Sequence, residues 1–124
     1  MGETPKSTPP ARRFRRLERR VLHGFEVPVA GDPLSRLVGL AFLDRDRSPE
    51  GLLIPRCRSV HTYGMRFPLD LLFLGSTGRP LVAVRGVGPG HRVRVPGASA
   101  VLELPSDPDV EKRGPEPSPA GVVI

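Results

Sequence analysis

The chain has 124 residues, of which 14 are Gly and 16 are Pro, and its formal net charge is +6. That length fits one domain, and a Gly and Pro share of about a quarter leaves little room for long helices. A helical bundle, a coiled coil and a membrane-spanning protein are excluded on these grounds.

The charge is concentrated at one end. Residues 1–20 carry Lys6, Arg12, Arg13, Arg15, Arg16, Arg19 and Arg20 against Glu3 and Glu18, so the remainder is close to neutral. Residues 1–20 are expected to form a basic arm, disordered through Pro10 and partly helical from Ala11, where Phe14, Leu17 and Val21 follow at helical spacing. Such an arm serves as a solubilising tail, or binds nucleic acid or an anionic surface through charge alone. Residues 21–124 are expected to form a single β domain.

Val21, His23, Phe25, Val27 and Val29 alternate with the period of a strand. Asp32 followed by Pro33 is a helix start. The aspartate side chain accepts from free N–H groups of the first turn, and proline lacks an N–H that would go unsatisfied there. Leu34, Leu37, Val38, Ala41 and Phe42 then mark one apolar face of a helix running to about Leu43. Beyond Pro49 the period becomes two. Strands are expected over 51–54, 58–67, 69–74, 80–87, 91–95 and 98–104, with Ser76-Thr77-Gly78 turning the third into the fourth. Asp107-Pro108 repeats the cap signal for a short helix ending at Gly114, and Val122-Val123-Ile124 adds a last short strand. The architecture expected is mainly β: a compact sandwich or barrel-like domain of six or seven short strands with one or two short covering helices.

Two places invite chemistry. Strand alternation puts Cys57, Ser59, His61, Tyr63 and Met65 on one face, a mixture of small, polar and soft groups that suits the wall of a ligand pocket. A half-buried strand with a hydrogen-bonded histidine produces the same pattern. Cys57, His61 and Met65 are also donors that suit copper. On one strand, however, Cys57 and His61 lie ~13 Å apart, too far for one ion. Arg56 and Arg58 flank Cys57 and are expected to lower its pKa. Asp70 interrupts an apolar run and needs a partner, for which Arg36, Arg66, Arg85 and Arg94 are candidates, in a structural pair or in a site. Glu103 lies between Leu102 and Leu104, and alternation points it away from them, towards solvent. Cys57, His61 and Asp70 include the residue types of a nucleophilic site, yet nothing in the sequence fixes their mutual geometry.

Cys57 is the sole cysteine. No internal disulfide forms, which fits a reducing compartment. The longest apolar runs, four residues as in Leu71 to Leu74, are far short of a membrane span. A cytoplasmic protein is expected.

Four blocks in order carry a family resemblance. They are Arg36-Leu37-Val38-Gly39-Leu40, then Glu50-Gly51-Leu52-Leu53-Ile54, then Val60-His61-Thr62-Tyr63-Gly64-Met65 with Pro68-Leu69-Asp70-Leu71-Leu72-Phe73, and Val101-Leu102-Glu103-Leu104. Together they resemble DUF192. The resemblance implies a small, mainly β domain and implies no activity. Where that family often shows an aromatic-rich Phe-Trp-Met, this chain has Tyr63-Gly64-Met65, so an aromatic wall there is reduced.

The expected function is non-enzymatic: a small-ligand or peptide-binding accessory domain that uses His61, Tyr63, Met65, Asp70 and Arg36, without a cofactor. The partner is an unidentified small molecule or protein. The alternative is nucleic-acid or anionic-surface binding through Arg12, Arg13, Arg15, Arg16, Arg19 and Arg20. A third reading places a metal or thiol site at Cys57, His61 and Met65.

Overall fold

The computed structural model describes residues 12–107. The disorder expected for 1–10, the helix expected after Asp107 and the strand expected at 122–124 lie outside these residues.

A 3-10 turn at Arg12–Phe14 leads into a hairpin of β1 (Arg19–Leu22) and β2 (Phe25–Pro28). His23 (φ 47°) and Gly24 (φ 86°) form its two-residue turn. Positive φ at both positions gives a turn whose twist matches that of the flanking strands. The alternating run from Val21 to Val29 is therefore folded back on itself and does not form one strand.

Within the segment 12–20, Arg13 and Phe14 contact the rest of the domain. Phe14 is buried in the main core, and the Arg13 guanidinium donates to the carbonyls of Gly39 (2.9 Å) and Ala41. Burial of one phenylalanine is worth about 1.5–3 kcal/mol and contributes to seating the segment. Arg19 and Arg20 belong to β1, where they lie within reach of Glu26 and Glu18.

The helix starts as expected and stops early. In α1 (Pro33–Val38), Asp32 accepts from the Ser35 N–H and Pro33 opens the first turn. Gly39 (φ 56°, ψ −129°) then ends it, in a conformation that residues with a Cβ avoid. Leu34 and Leu37 stay exposed, whereas Leu40 and Ala41 enter the core from non-helical backbone. The apolar stripe is thus divided between a solvent-facing helix and the segment after it.

The remaining strands are β3 (Leu52–Pro55), β4 (Ser59–His61), β5 (Leu69–Leu74), β6 (Pro80–Val87), β7 (Arg92–Arg94) and β8 (Ala100–Pro105). Among the described residues the protein is mainly β, with eight strands in three sheets and no closed barrel. The central sheet is antiparallel, ordered β3-β8-β5-β6; β4 pairs with β7, and β1 with β2. The hairpin expected around Ser76-Thr77-Gly78 is present.

The central sheet is covered on both faces. Leu52, Ile54, Leu69, Leu71, Phe73 and Val101 join Val60 and Val93 of the β4–β7 ribbon, together with Leu40 and Phe14, in the main core. Leu53, Leu74 and Leu102 point the opposite way and pack with Val27 and Val29. The period of two holds along each strand, but the face opposite the main core is not solvent.

Candidate functional site

β4 is shorter than the sequence leads one to expect, because Thr62 stops it. Thr62 is fully buried; its Oγ1 donates to the Gly88 carbonyl (2.7 Å) and accepts from the His91 N–H (2.8 Å). The chain then reverses through Tyr63 and Gly64 (φ 81°), and the Met65 N–H returns to the Thr62 carbonyl (3.2 Å). This turn is tied to the segment after α1. The Phe42 N–H donates to the Gly64 carbonyl (2.8 Å), and a Cβ at Gly64 would lie 2.7 Å from the Phe42 ring.

Between these two segments lies a cleft of about 40 Å³. α1 and the backbone from Gly39 to Ala41 form one wall, and Cys57, β4 and Met65 form the other. Glu103 reaches in from β8. Of the residues expected to form a site, Arg36, His61 and Met65 converge here, joined by Cys57 and Ser59. They meet because the chain turns after Thr62, not because they share a long strand. The Tyr63 ring sits outside the cleft, stacked on His61 at 5.2 Å between centroids and 24° between planes.

Asp70 does not join them. Its Oδ1 accepts from the Gly86 N–H (2.8 Å) and from the Ser106 hydroxyl (2.7 Å). None of the four candidate arginines pairs with it. Arg36 instead donates to the carbonyls of Pro55 and Arg56 (2.9 Å to the latter), and Arg66 pairs with Asp44 at 3.1 Å.

Glu103 is the residue that sequence reasoning misplaced. It does point away from Leu102 and Leu104, but that direction leads into the main core, and its exposure is only 3%. The available signal was Val101, two residues earlier on the same face and also apolar. Burial pushes the Glu103 pKa up to about 8, so the group is largely protonated at neutral pH. Its Oε1 has no hydrogen-bond partner, and neither has the buried Nδ1 of His61. Each such atom costs about 1–3 kcal/mol when left unpaired. A cleft of this size has room for water or a small ligand that would pair them.

Cys57 also departs from expectation. Burial raises its thiol pKa; a backbone hydrogen bond at Ser59 and the charge of Arg36 oppose this, and Glu103 adds to it. Burial outweighs the nearby positive charge. The thiolate is therefore scarce at neutral pH, which weakens the nucleophile reading. Among the described residues, no group of three or more His, Cys, Asp or Glu side chains is placed to hold a metal ion. No helix among them is long and apolar enough to cross a membrane.

Comparison with known proteins places the chain in a family. The family model of DUF192 (Uncharacterized ACR) matches residues 15–112, and the chain belongs to that family. No curated protein matches the chain. A solved structure of a protein of unknown function from Novosphingobium aromaticivorans is similar, with a TM-score of 0.56 and 20% identity over 81% of this chain and 75% of that one. A second, described as a candidate transcription regulator from Sinorhizobium meliloti, has a TM-score of 0.59 and 24% identity over 84% and 87% of the two chains. At these identities the likeness is one of fold.

Proposed function

We propose that the protein is a non-enzymatic binding domain that holds a small polar ligand in the cleft between α1, β4 and β8. One observation carries this reading: Glu103 Oε1 and His61 Nδ1 are both buried, both without a partner, and belong to residues lining the same cleft. Native proteins pair nearly all buried polar atoms, so two orphans together mark a place where a partner arrives from outside the chain. A protonated carboxyl offers one donor and one acceptor, and an imidazole nitrogen offers either role according to its tautomer. The raised thiol pKa of Cys57 favours binding over nucleophilic chemistry.

Native mass spectrometry tests this on protein purified gently from its own host, beside a sample unfolded in acid. A mass excess that disappears on unfolding, and that is lost in the His61→Ala and Glu103→Gln variants, is the expected result. A bare polypeptide mass in the wild type, with no response of stability to small-molecule mixtures, would overturn it.

A second reading rests on Arg12, Arg15 and Arg16, which are exposed and whose side chains have no partner among the described residues. These three are available to a phosphate backbone, and the description of the Sinorhizobium protein is compatible with such a role. Arg13 is held on the Gly39 carbonyl and is less available. Removing residues 1–20 would take away Phe14 and half of β1, so charge substitution is the cleaner test. Replacing Arg12, Arg15 and Arg16 by Gln should abolish salt-dependent binding of duplex DNA. Binding that persists in this variant would refute a role for the segment.

A further inference from the structure

We infer that the cleft selects an anionic ligand, a small carboxylate drawn in by Arg36, Arg92 and Arg94 and seated against His61 and Glu103. This rests on the ligand-binding reading above and adds the charge and shape of the ligand. The first support is strand register. In the β4–β7 ribbon, His61 is paired with Arg92 and Ser59 with Arg94. Cross-strand partners share a face, with Cβ atoms roughly 5 Å apart. Both arginines therefore rise beside Ser59 and His61, two of the three β4 residues that line the cleft. Both are exposed, and their side chains have no hydrogen bond or ion pair among the described residues.

The second support is the wall opposite. Arg36 lines the cleft and uses two of its nitrogens on the carbonyls of Pro55 and Arg56. A guanidinium has five N–H donors, so others remain for a ligand. Arg36 thus lines the site, and Arg92 and Arg94 stand across the ribbon from two of its lining residues. Glu103 is the one carboxyl group lining it, and burial keeps that group largely uncharged at neutral pH. A cation entering the cleft would meet three like charges and little compensation. An anion gains from all three, and a protonated carboxyl donates a short, strong hydrogen bond to a carboxylate oxygen. Size and shape favour a carboxylate over a bulkier oxyanion. The space is about 40 Å³, and a planar carboxylate matches the guanidinium fork.

The test uses the full chain and three probes of similar size at constant ionic strength: acetate, acetamide and methylammonium. Binding is read from the ring resonances of His61 and Tyr63 by NMR. Acetate is expected to give a saturable shift, with acetamide weaker and methylammonium silent. The Arg92→Gln, Arg94→Gln double variant keeps its fold, because both side chains are exposed, and weakens acetate by about fivefold. Acetamide binding as tightly as acetate, or acetate binding unchanged in the double variant, overturns the inference and leaves the ligand site standing. Failure of all three probes to shift either ring overturns it too, and the bound mass sought above then decides the site by itself.

Discussion

Asp70 on β5 and Glu103 on β8 are one register step apart in the same sheet, since Asp70 lies opposite Leu104 and Leu71 lies opposite Glu103. One step is enough to send them to opposite faces. Asp70 finds the Gly86 N–H and the Ser106 hydroxyl, and so ties the end of β6 and the segment after β8 to β5. Glu103 enters the main core, loses its water, and leaves one oxygen facing the cleft without a partner. The difference teaches how to read a carboxyl group inside a β domain. One whose oxygen is bonded twice within the chain ties the scaffold together; one left open beside a cleft keeps bonding capacity unused.

Four experiments sharpen or break that contrast. The largest effect belongs to Glu103. Its pKa in the folded protein, about 8, lies above the ordinary value near 4.5. The folded state therefore holds more protons than the unfolded state between those values. The stability contribution is full below about pH 4.5 and is lost as pH rises towards 8, by on the order of 4 kcal/mol. Urea denaturation across this range should show the loss in the wild type relative to Glu103→Gln, and two parallel profiles would contradict it. Next comes Asp70→Ala, which strands two donors and should cost about 2 kcal/mol in the same assay. It should leave probe binding in the cleft unchanged, and a loss of binding would mean that the two carboxyl groups are not separate in role.

Gly39→Ala is smaller. A Cβ there would lie 3.2 Å from Glu103 Oε1, on backbone with positive φ. The strain should cost about 1–2 kcal/mol and narrow the cleft, so weaker probe binding is expected by titration. Tyr63→Ala should change stability by less than about 0.5 kcal/mol, because the ring is largely exposed. It should still move the His61 ring resonances through the lost stacking, and unchanged resonances would argue against that contact in solution.

Much of the scaffold was legible in the sequence, for local reasons. The Asp32-Pro33 start, the hairpin between β5 and β6 and the alternation in Leu69 to Leu74 each depend on neighbours in the chain, and each is present. The end of α1 was less legible, because the apolar spacing continues past Gly39 while the helix does not. At the site, Arg36, His61 and Met65 were singled out and do converge. Asp70 was grouped with them because residue type cannot reveal a bond to the Gly86 N–H or to Ser106. Glu103 was missed for a complementary reason. Alternation gives the face a side chain takes, but only the fold says what covers that face, and here it is α1 and β4.

The strand order β3-β8-β5-β6 has a consequence for biosynthesis. β8, the last strand described, lies between two strands made well before it. While the chain emerges from the ribosome, β3 and β5 each lack the partner that covers one edge, and both are rich in leucine. Unpaired apolar edges of that kind seek strands on other molecules. A nascent chain halted before Ala100 would therefore be prone to aggregate, and Glu103, which reaches into the cleft from β8, would not yet have been translated.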